Sequence, residues 1–235
     1  MRMTSKTRLW CFAVHLAALA WIPLAGHAEE LHARLDLSGQ NSTGHAPAAV
    51  LWMTPVSDTK PAPPPPGHFV LAQKNRMFVP HLLVIPQGSI VDFPNEDPFF
   101  HNVFSLFNGK RFDLGLYEAG KSKRVVFSRE GISYIFCNIH PEMSAVVLSL
   151  DTPYYAIADH TGAFRVDNLP PGEYAVHVWV EGWTQGSLDE LIRHVRLGPG
   201  LPNSITIDAK MLRREPSSHT NKFGNPYEKQ PTSPY

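Results

Sequence analysis

Short strand-like runs separated by turn-forming residues fill the middle of the sequence, and this pattern restricts the fold more than any other feature. Turn formers such as Pro86-Gln87-Gly88 and Asn108-Gly109 divide the runs, and the segment has no helical periodicity. Many short strands with closely spaced turns are typical of a β-sandwich or a β-barrel. The sequence therefore predicts an all-β domain over residues 68–151. The predicted strands are 69–73, 81–85, 89–93, 102–107, 124–128, 132–137 and 145–150.

The flanks of this segment carry the same kind of pattern. Apolar and polar residues alternate in residues 31–37 and 50–56, and five further strand candidates follow a junction at Asp151-Thr152-Pro153. Residues 58–67 are rich in proline, which fixes φ and removes amide donors, so we expect a stiff, extended linker there. The later strand candidates are 154–158, 163–166, 173–180, 192–197 and 204–208.

Both ends of the chain differ in composition from the region between them. The first residues carry positive charge, and an apolar run from Leu9 to Leu24 is followed by small residues. This order predicts a cleaved secretory signal over residues 1–28, and the alternative is an uncleaved membrane anchor. After cleavage we expect a periplasmic protein with no membrane segment. Residues 212–235 are polar and lack apolar periodicity, which predicts a disordered tail.

The charge balance and the cysteine content narrow the range of possible functions. The 21 basic residues balance the 21 acidic residues, which leaves no broad basic surface for a phosphate backbone, and we expect no nucleic-acid partner. Of the two cysteines, Cys11 lies in the predicted signal, and Cys137 would be alone in the exported chain. A lone thiol in an oxidising compartment cannot form an internal disulfide and is open to oxidation. Metal ligation would explain its presence.

One loop concentrates the candidate ligands. Residues 137–143, Cys-Asn-Ile-His-Pro-Glu-Met, place a thiolate, an imidazole and a thioether between two predicted strands. A second imidazole follows a turn at the same end of the predicted sandwich. Each residue alone would more often be structural, but a His₂Cys set with a weak axial Met is diagnostic of electron-transfer copper. We therefore predict one mononuclear type 1 copper, whose ligands are His101, Cys137, His140 and Met143.

With these residues in view, the region 68–150 resembles the cupredoxins, the group of plastocyanin, amicyanin and pseudoazurin. The short gap between His140 and Met143 is similar to amicyanin, and the whole region is most similar to the plastocyanin-like proteins assigned to methylamine utilisation. The resemblance implies a Greek-key sandwich in which Asn102 hydrogen-bonds to the ligand loop and His140 is the edge where electrons leave. Relatives often carry Thr or Ser where this chain has Asn138. The motifs that carry the resemblance are Phe78-x-Pro80, Gly88-x-x-Val91-x-Phe93-x-Asn95-x-Asp97, His101-Asn102, Phe127, Gly131 and Cys-x-x-His-x-x-Met.

The region after the second junction resembles another β family. Asp159-x-x-Gly162-x-Phe164 and Leu169-Pro170-Pro171-Gly172-x-Tyr174 are similar to the later part of a transthyretin-like or carboxypeptidase-regulatory sandwich. That fold begins with two strands around a glycine-containing turn, and residues 29–57 resemble this opening pair. We therefore predict a discontinuous sandwich, residues 29–57 and 152–211, with the copper domain inserted between its second and third strands. In the alternative, residues 29–57 simply add strands to the copper domain.

Together these features predict a periplasmic blue copper protein that carries single electrons. We do not expect an enzyme, because no acid–base pair, nucleophile triad or phosphate loop is evident in the sequence. Acidic residues at the predicted copper end, Glu96, Asp97 and Glu142, would favour a partner with a basic face. We expect a redox protein, such as a c-type cytochrome or a periplasmic dehydrogenase. Two alternatives stay open, a periplasmic copper carrier and a metal-free binding or assembly module.

Overall fold

The described chain is built almost entirely from β-strands, which confirms the all-β prediction. The structure is a computed structural model. None of the helices in the described part of the chain is long and apolar enough to cross a membrane. The predicted signal, except for Ala28, and most of the predicted tail lie outside the described residues. The residues that the structure describes are 28–38, 46–57, 61–106, 109–209 and 221–227.

The strands are short, as the closely spaced turns require. In the first half of the chain they are β1 (Glu29–Asp36), β2 (Ala49–Pro55), β3 (His68–Val70), β4 (Ala72–Lys74), β5 (Met77–Val79), β6 (Leu82–Pro86), β7 (Ile90–Pro94), β8 (His101–Ser105) and β9 (Phe112–Tyr117). In the second half they are β10 (Ser122–Val126), β11 (Gly131–Phe136), β12 (Ser144–Leu150), β13 (Tyr155–Ile157), β14 (Ala163–Leu169), β15 (Gly172–Val180), β16 (Arg193–Leu197) and β17 (Ser204–Asp208). A short helix, α1 (Gln185–Asp189), lies between β15 and β16.

Two main sheets form the region that carries the candidate ligands, residues 68–151, called the ligand-bearing region below. One sheet has the order β6-β12-β11-β8-β9 and the other the order β10-β7-β3, while β4 and β5 form a separate hairpin. Buried apolar side chains from both sheets, such as Phe93 and Val147, form its core. β11 and β12 are antiparallel neighbours with Phe136 opposite Ser144. The segment that joins these two strands is therefore a tight loop at one end of the sheet.

Two further sheets form the flanking region, residues 29–57 and 152–209, with the orders β14-β1-β17 and β13-β2-β15-β16. Leu31 of β1 pairs with Val166 of β14, and β2 runs antiparallel to β13 and β15. Both neighbours of β1 and both neighbours of β2 thus follow Thr152 in the chain. In the described residues neither strand pairs with a strand of the ligand-bearing region.

An apolar cluster joins the two regions. Val146 and Leu148 of β12 belong to the same buried cluster as Trp179 and Trp183 of the flanking region. The Trp179 Nε1–H also donates a hydrogen bond of 3.1 Å to the Tyr134 hydroxyl of β11. Burial of large side chains in one shared cluster holds the two regions against each other. The second cluster, which contains the candidate cysteine ligand, lies within the ligand-bearing region.

Candidate metal centre

The loop between β11 and β12, residues 137–143, is closed by hydrogen bonds of its own backbone. The Cys137 N–H donates to the Met143 carbonyl at 3.3 Å, and the Met143 N–H donates to the His140 carbonyl at 3.0 Å. Pro141 and Glu142 stand at the exposed tip. Because the ends of this ligand loop are tied together, its donor side chains stay at one end of the sheet.

His101 begins β8, which is the neighbour of β11 in the same sheet, and its side chain meets the ligand loop. The Cys137 Sγ lies 3.8 Å from His101 Nδ1 and 3.6 Å from His140 Nδ1. The two Nδ1 atoms are 3.0 Å apart. His101 and Cys137 are completely buried, whereas His140 is partly exposed. The structure thus brings together three of the four predicted ligands.

These three donor atoms fit a single metal ion. A circle through them has a radius of about 2.0 Å, close to the roughly 2.0–2.3 Å of zinc–nitrogen and zinc–sulfur bonds, which serve as a guide for metals of this size. One thiolate and two imidazoles form a donor set that suits copper. The residues present therefore fit the ion that the sequence predicts.

Burial shifts the pKa of two of the donors, Cys137 and His140. It raises the pKa of the Cys137 thiol, against the opposing effect of the backbone N–H groups of Asn102, Ile139 and His140, which donate to the sulfur. Burial also lowers the pKa of His140, and repulsion by His101 adds to this. A bound cation would displace the thiol proton, since the thiolate is the form that ligates metals.

Asp97 contacts the far side of His101, a role that the sequence did not predict. The His101 Nε2–H donates to Asp97 Oδ2 at 2.8 Å. The carboxylate also accepts the N–H groups of Asn75 and Arg76, at 2.6 and 2.9 Å, in the turn between β4 and β5. Burial alone would raise the pKa of Asp97, but hydrogen bonds from Arg76, His101 and Asn75 outweigh burial, and the net pKa is lowered. The one feature of the sequence that indicates this contact is that Asp97 lies four positions before His101.

Two apolar side chains complete the surroundings of the donors. Met143 lies at the end of the ligand loop and is completely buried in the same cluster as Cys137. Its role as the axial ligand stays a prediction. The ring centroid of Phe99 lies 5.1 Å from that of His101 and 5.7 Å from that of His140. An apolar ring in this position keeps water from one side of both imidazoles.

Asn102 contacts the ligand loop through its backbone, whose N–H donates to the Cys137 sulfur. Its side-chain Nδ2 donates to Asp113 Oδ1 at 2.8 Å, and its Oδ1 is buried without a hydrogen-bond partner in the described residues. In the described residues the expected hydrogen bond to the ligand loop is thus made by the backbone of Asn102, while its side chain bonds to Asp113. Strand β9 pairs with β8 and places Asp113 opposite Phe104, from where its carboxylate reaches the Asn102 side chain.

Residues 221–227 fold back onto the ligand loop, in a part of the chain where the sequence predicts disorder. The Lys222 N–H donates to Asn138 Oδ1 at 3.0 Å, and the Tyr227 hydroxyl donates to the Cys137 carbonyl at 2.9 Å. The Lys222 Nζ lies 2.8 Å from Asp113 Oδ2. These contacts are polar, which is why a search for apolar periodicity does not find them.

Other histidines of the described chain lie away from this cluster. His81 contacts the Ser144 carbonyl at 3.0 Å and the Glu181 carboxylate at 2.5 Å, and His177 stacks on Trp52. Within the residues that the structure describes, the one group of His, Cys and acidic side chains with metal-binding spacing is that of His101, Cys137 and His140.

Similar proteins were found among solved structures only. No protein-family model matches the sequence, and no curated protein sequence matches it. A copper-containing nitrite reductase from Thermus scotoductus SA-01 is 25% identical over 42% of this chain, with a TM-score of 0.35. The matched part of this chain spans only 25% of the length of the nitrite reductase chain.

Two smaller copper proteins match over almost their whole length. A purple cupredoxin from Nitrosopumilus maritimus is 26% identical over 36% of this chain and 99% of its own, with a TM-score of 0.31. A mutant of amicyanin in its reduced Cu(I) form is 18% identical over 42% of this chain and 98% of its own, with a TM-score of 0.34. Each similarity therefore covers less than half of this chain.

Proposed function

We propose that this protein is a periplasmic copper protein that carries single electrons between redox partners. The observation that supports this most is the convergence of the His101 and His140 Nδ1 atoms and the Cys137 Sγ within 3.8 Å of one another at the end of a sheet. The proposed ligands are these three residues and Met143. Copper bound there would supply a one-electron couple.

The protein's own part in electron transfer is to hold the donors still. Cys137 is fixed by the bond of its N–H to the Met143 carbonyl and by the backbone N–H groups that point at its sulfur. His101 is completely buried at the start of β8. Because preorganised donors move little when the charge of the site changes, the barrier to electron transfer is low.

Asp97 selects the nitrogen of His101 that faces the metal position. A carboxylate accepts hydrogen bonds, so the Nε2 of His101 must carry the proton that it donates to Asp97. The Nδ1 lone pair is then directed at the other two donors. Such carboxylate–histidine pairs fix ring orientation and make the imidazole a stronger electron donor.

The proposed electron exit is the edge of His140, the partly exposed member of the donor set. Glu142, two residues further along the loop, is exposed, whereas Glu96 is paired with Lys74 at 3.1 Å. The remaining negative charge would guide a partner with a basic docking face. Such a partner is a redox protein, for example a c-type cytochrome or a periplasmic dehydrogenase, and the protein itself would have no enzymatic activity.

The domain organisation belongs to the same proposal. Residues 1–28 would be removed on export, and the copper domain, residues 68–151, would be inserted in a discontinuous transthyretin-like sandwich. The two parts of that sandwich would be residues 29–57 and 152–211. The pairing of β1 and β2 with strands that follow Thr152 supports this organisation.

Copper titration followed by visible absorption tests the proposal. The wild-type protein should bind one equivalent of Cu(II) and develop an intense blue or green band from thiolate-to-copper charge transfer. Cys137→Ser should lose the band, and His140→Gln should weaken it. As a matched control, His194→Gln changes an exposed histidine of β16 and should leave the band intact. One equivalent of bound copper without an intense band would contradict the proposal.

A further inference from the structure

Residues 221–227 make their contacts at the residues next to the proposed ligands. The Tyr227 hydroxyl donates to the carbonyl of Cys137 itself, and the Lys222 N–H donates to the side chain of Asn138, the following residue. Along the chain, 90 and 84 residues separate these partners. Their proximity is therefore a property of the fold and not of chain connection.

The same segment also contacts β9, the neighbour of the strand β8 that carries His101. The Lys222 Nζ lies 2.8 Å from Asp113 Oδ2. Asp113 Oδ1 accepts a hydrogen bond from Asn102, the residue after His101. The segment therefore connects the residue after Cys137 with the residue after His101. The Asn102 side chain does not make this connection itself, since its Oδ1 has no partner in the described residues.

Hydrogen bonds within the segment give it a fixed shape. The Asn221 N–H donates to the Asn225 carbonyl at 2.8 Å, and the Gly224 N–H donates to the Asn221 carbonyl at 2.9 Å. The two aromatic rings differ in environment. Phe223 is 71% exposed, whereas Tyr227 is half-buried, and burial raises its pKa to about 12. A segment with a preformed turn loses less conformational entropy when it docks.

We propose that residues 221–227 form a strap that positions the ligand loop against β8 and β9, with Tyr227 and Lys222 as positioning residues. The inference rests on the proposed function. Tyr227 acts through the Cys137 carbonyl, because its hydrogen bond restrains the loop and draws electron density from the residue that supplies the thiolate. Lys222 acts through Asn138 and Asp113. The strap thus adds a second link between strand and loop, beside the bond of the Asn102 backbone N–H to the Cys137 sulfur.

Amide hydrogen exchange of the metal-free, full-length protein tests the restraint without any assumption about copper. Tyr227→Phe removes one hydroxyl group, and Tyr155→Phe makes the same change at a 40% exposed tyrosine of β13. Loss of one hydrogen bond should speed exchange in residues 138–143 by roughly two- to tenfold. Tyr155→Phe should leave the exchange unchanged. Wild-type exchange rates in Tyr227→Phe would overturn the proposal.

Measurements on the copper-loaded protein distinguish a positioning role of the strap from a purely structural role. Tyr227→Phe should lower the midpoint potential and slow electron self-exchange. Lys222→Gln should have a smaller effect, since its N–H still reaches Asn138. Faster amide exchange with an unchanged midpoint would overturn the proposal, because the strap would then be structural only. If wild-type protein never develops the intense band, the proposed function fails, while the metal-free experiment still decides whether the strap restrains the loop.

Discussion

The ligand-bearing region and the flanking region are both β structures with a buried apolar cluster, but they bury different side chains. The flanking region buries mostly apolar side chains, including Trp179 and Trp183, whereas the ligand-bearing region also buries Asp97, His101 and Asn102. Burying polar groups costs free energy unless each group finds a partner. Buried polar groups that depend on one another for partners are thus concentrated in the ligand-bearing region, and the two regions are expected to respond differently to substitution.

The largest effect on stability is expected in the flanking region. Trp179→Ala removes a completely buried indole and should lower the free energy of unfolding by about 3–5 kcal/mol, measured by urea denaturation. Trp52→Ala, at a partly exposed tryptophan, should cost less. The midpoint potential of the loaded Trp179→Ala protein should not change. A shifted midpoint potential would show that the flanking region also affects the metal site, which would contradict the proposed difference between the two regions.

Asp97→Asn should affect the proposed copper site as well as the stability of the protein. The substitution removes the negative charge beside His101 and sets an amide NH₂ against backbone N–H groups. The midpoint potential should rise, because a less electron-rich imidazole stabilises Cu(II) less. The free energy of unfolding should fall by about 1–3 kcal/mol. Voltammetry and urea denaturation measure the two effects. Asp92→Asn, at a surface pair with Arg124, is the control that should leave the midpoint unchanged.

Met143→Leu should change the midpoint with little effect on stability. A thioether in the axial position is a long, weak ligand, so the intense band should remain while the midpoint rises. The swap conserves volume and should cost less than about 1.5 kcal/mol. Met53→Leu, at a completely buried methionine of the flanking region, should leave the midpoint unchanged. If Met143→Leu has the wild-type midpoint, Met143 is not the axial ligand.

The smallest effect is expected where the regions meet, at His81 and Glu181. The hydrogen bond that His81 donates to the Glu181 carboxylate raises the pKa of His81 above its ordinary value of 6.5, in spite of burial. Because the folded-state pKa is raised, the stabilisation is complete below 6.5 and is lost as pH rises through the folded-state pKa. Both side chains are nearly half exposed, so the effect is small.

Comparison of wild type with Glu181→Gln measures this contact between the regions. The difference in unfolding free energy between the two proteins should be largest at mildly acidic pH and should shrink toward alkaline pH. Glu190→Gln, in the flanking region, should show no such trend. A difference that grows with rising pH would contradict the assigned sign.

Local spacing explains why much of the site could be predicted from the sequence. The predicted strands 132–137 and 145–150 match β11 and β12 to within one residue at each end. A short loop between paired strands necessarily brings its own residues together, so the proximity of Cys137 and His140 could be predicted from their spacing in the sequence. The position of His101 near the ligand loop could be predicted as well, because it required only that the strand of His101 begin at the end of the sheet where the loop lies.

Contacts that depend on irregular or distant segments could not be predicted. Strand β9, Phe112–Tyr117, was missed although its apolar residues alternate, because it contains Gly115, which has a φ of 66° and is a residue type more typical of turns than of strands. Without β9 the pairing of Asn102 with Asp113 has no basis in the sequence. The bond between Lys222 and Asp113 spans 109 residues and joins polar groups, for which neither periodicity nor a turn motif gives a signal.

The electron paramagnetic resonance spectrum of the Cu(II)-loaded protein tests the central claim most directly. A copper ion held in a plane by one thiolate and two imidazoles shares its unpaired electron with the sulfur, which narrows the copper hyperfine splitting. We predict a narrow splitting for the wild-type protein and its loss in Cys137→Ser. A wide splitting in the wild-type protein, as for copper bound by nitrogen and oxygen alone, would contradict the assignment of Cys137, His101 and His140 as copper ligands.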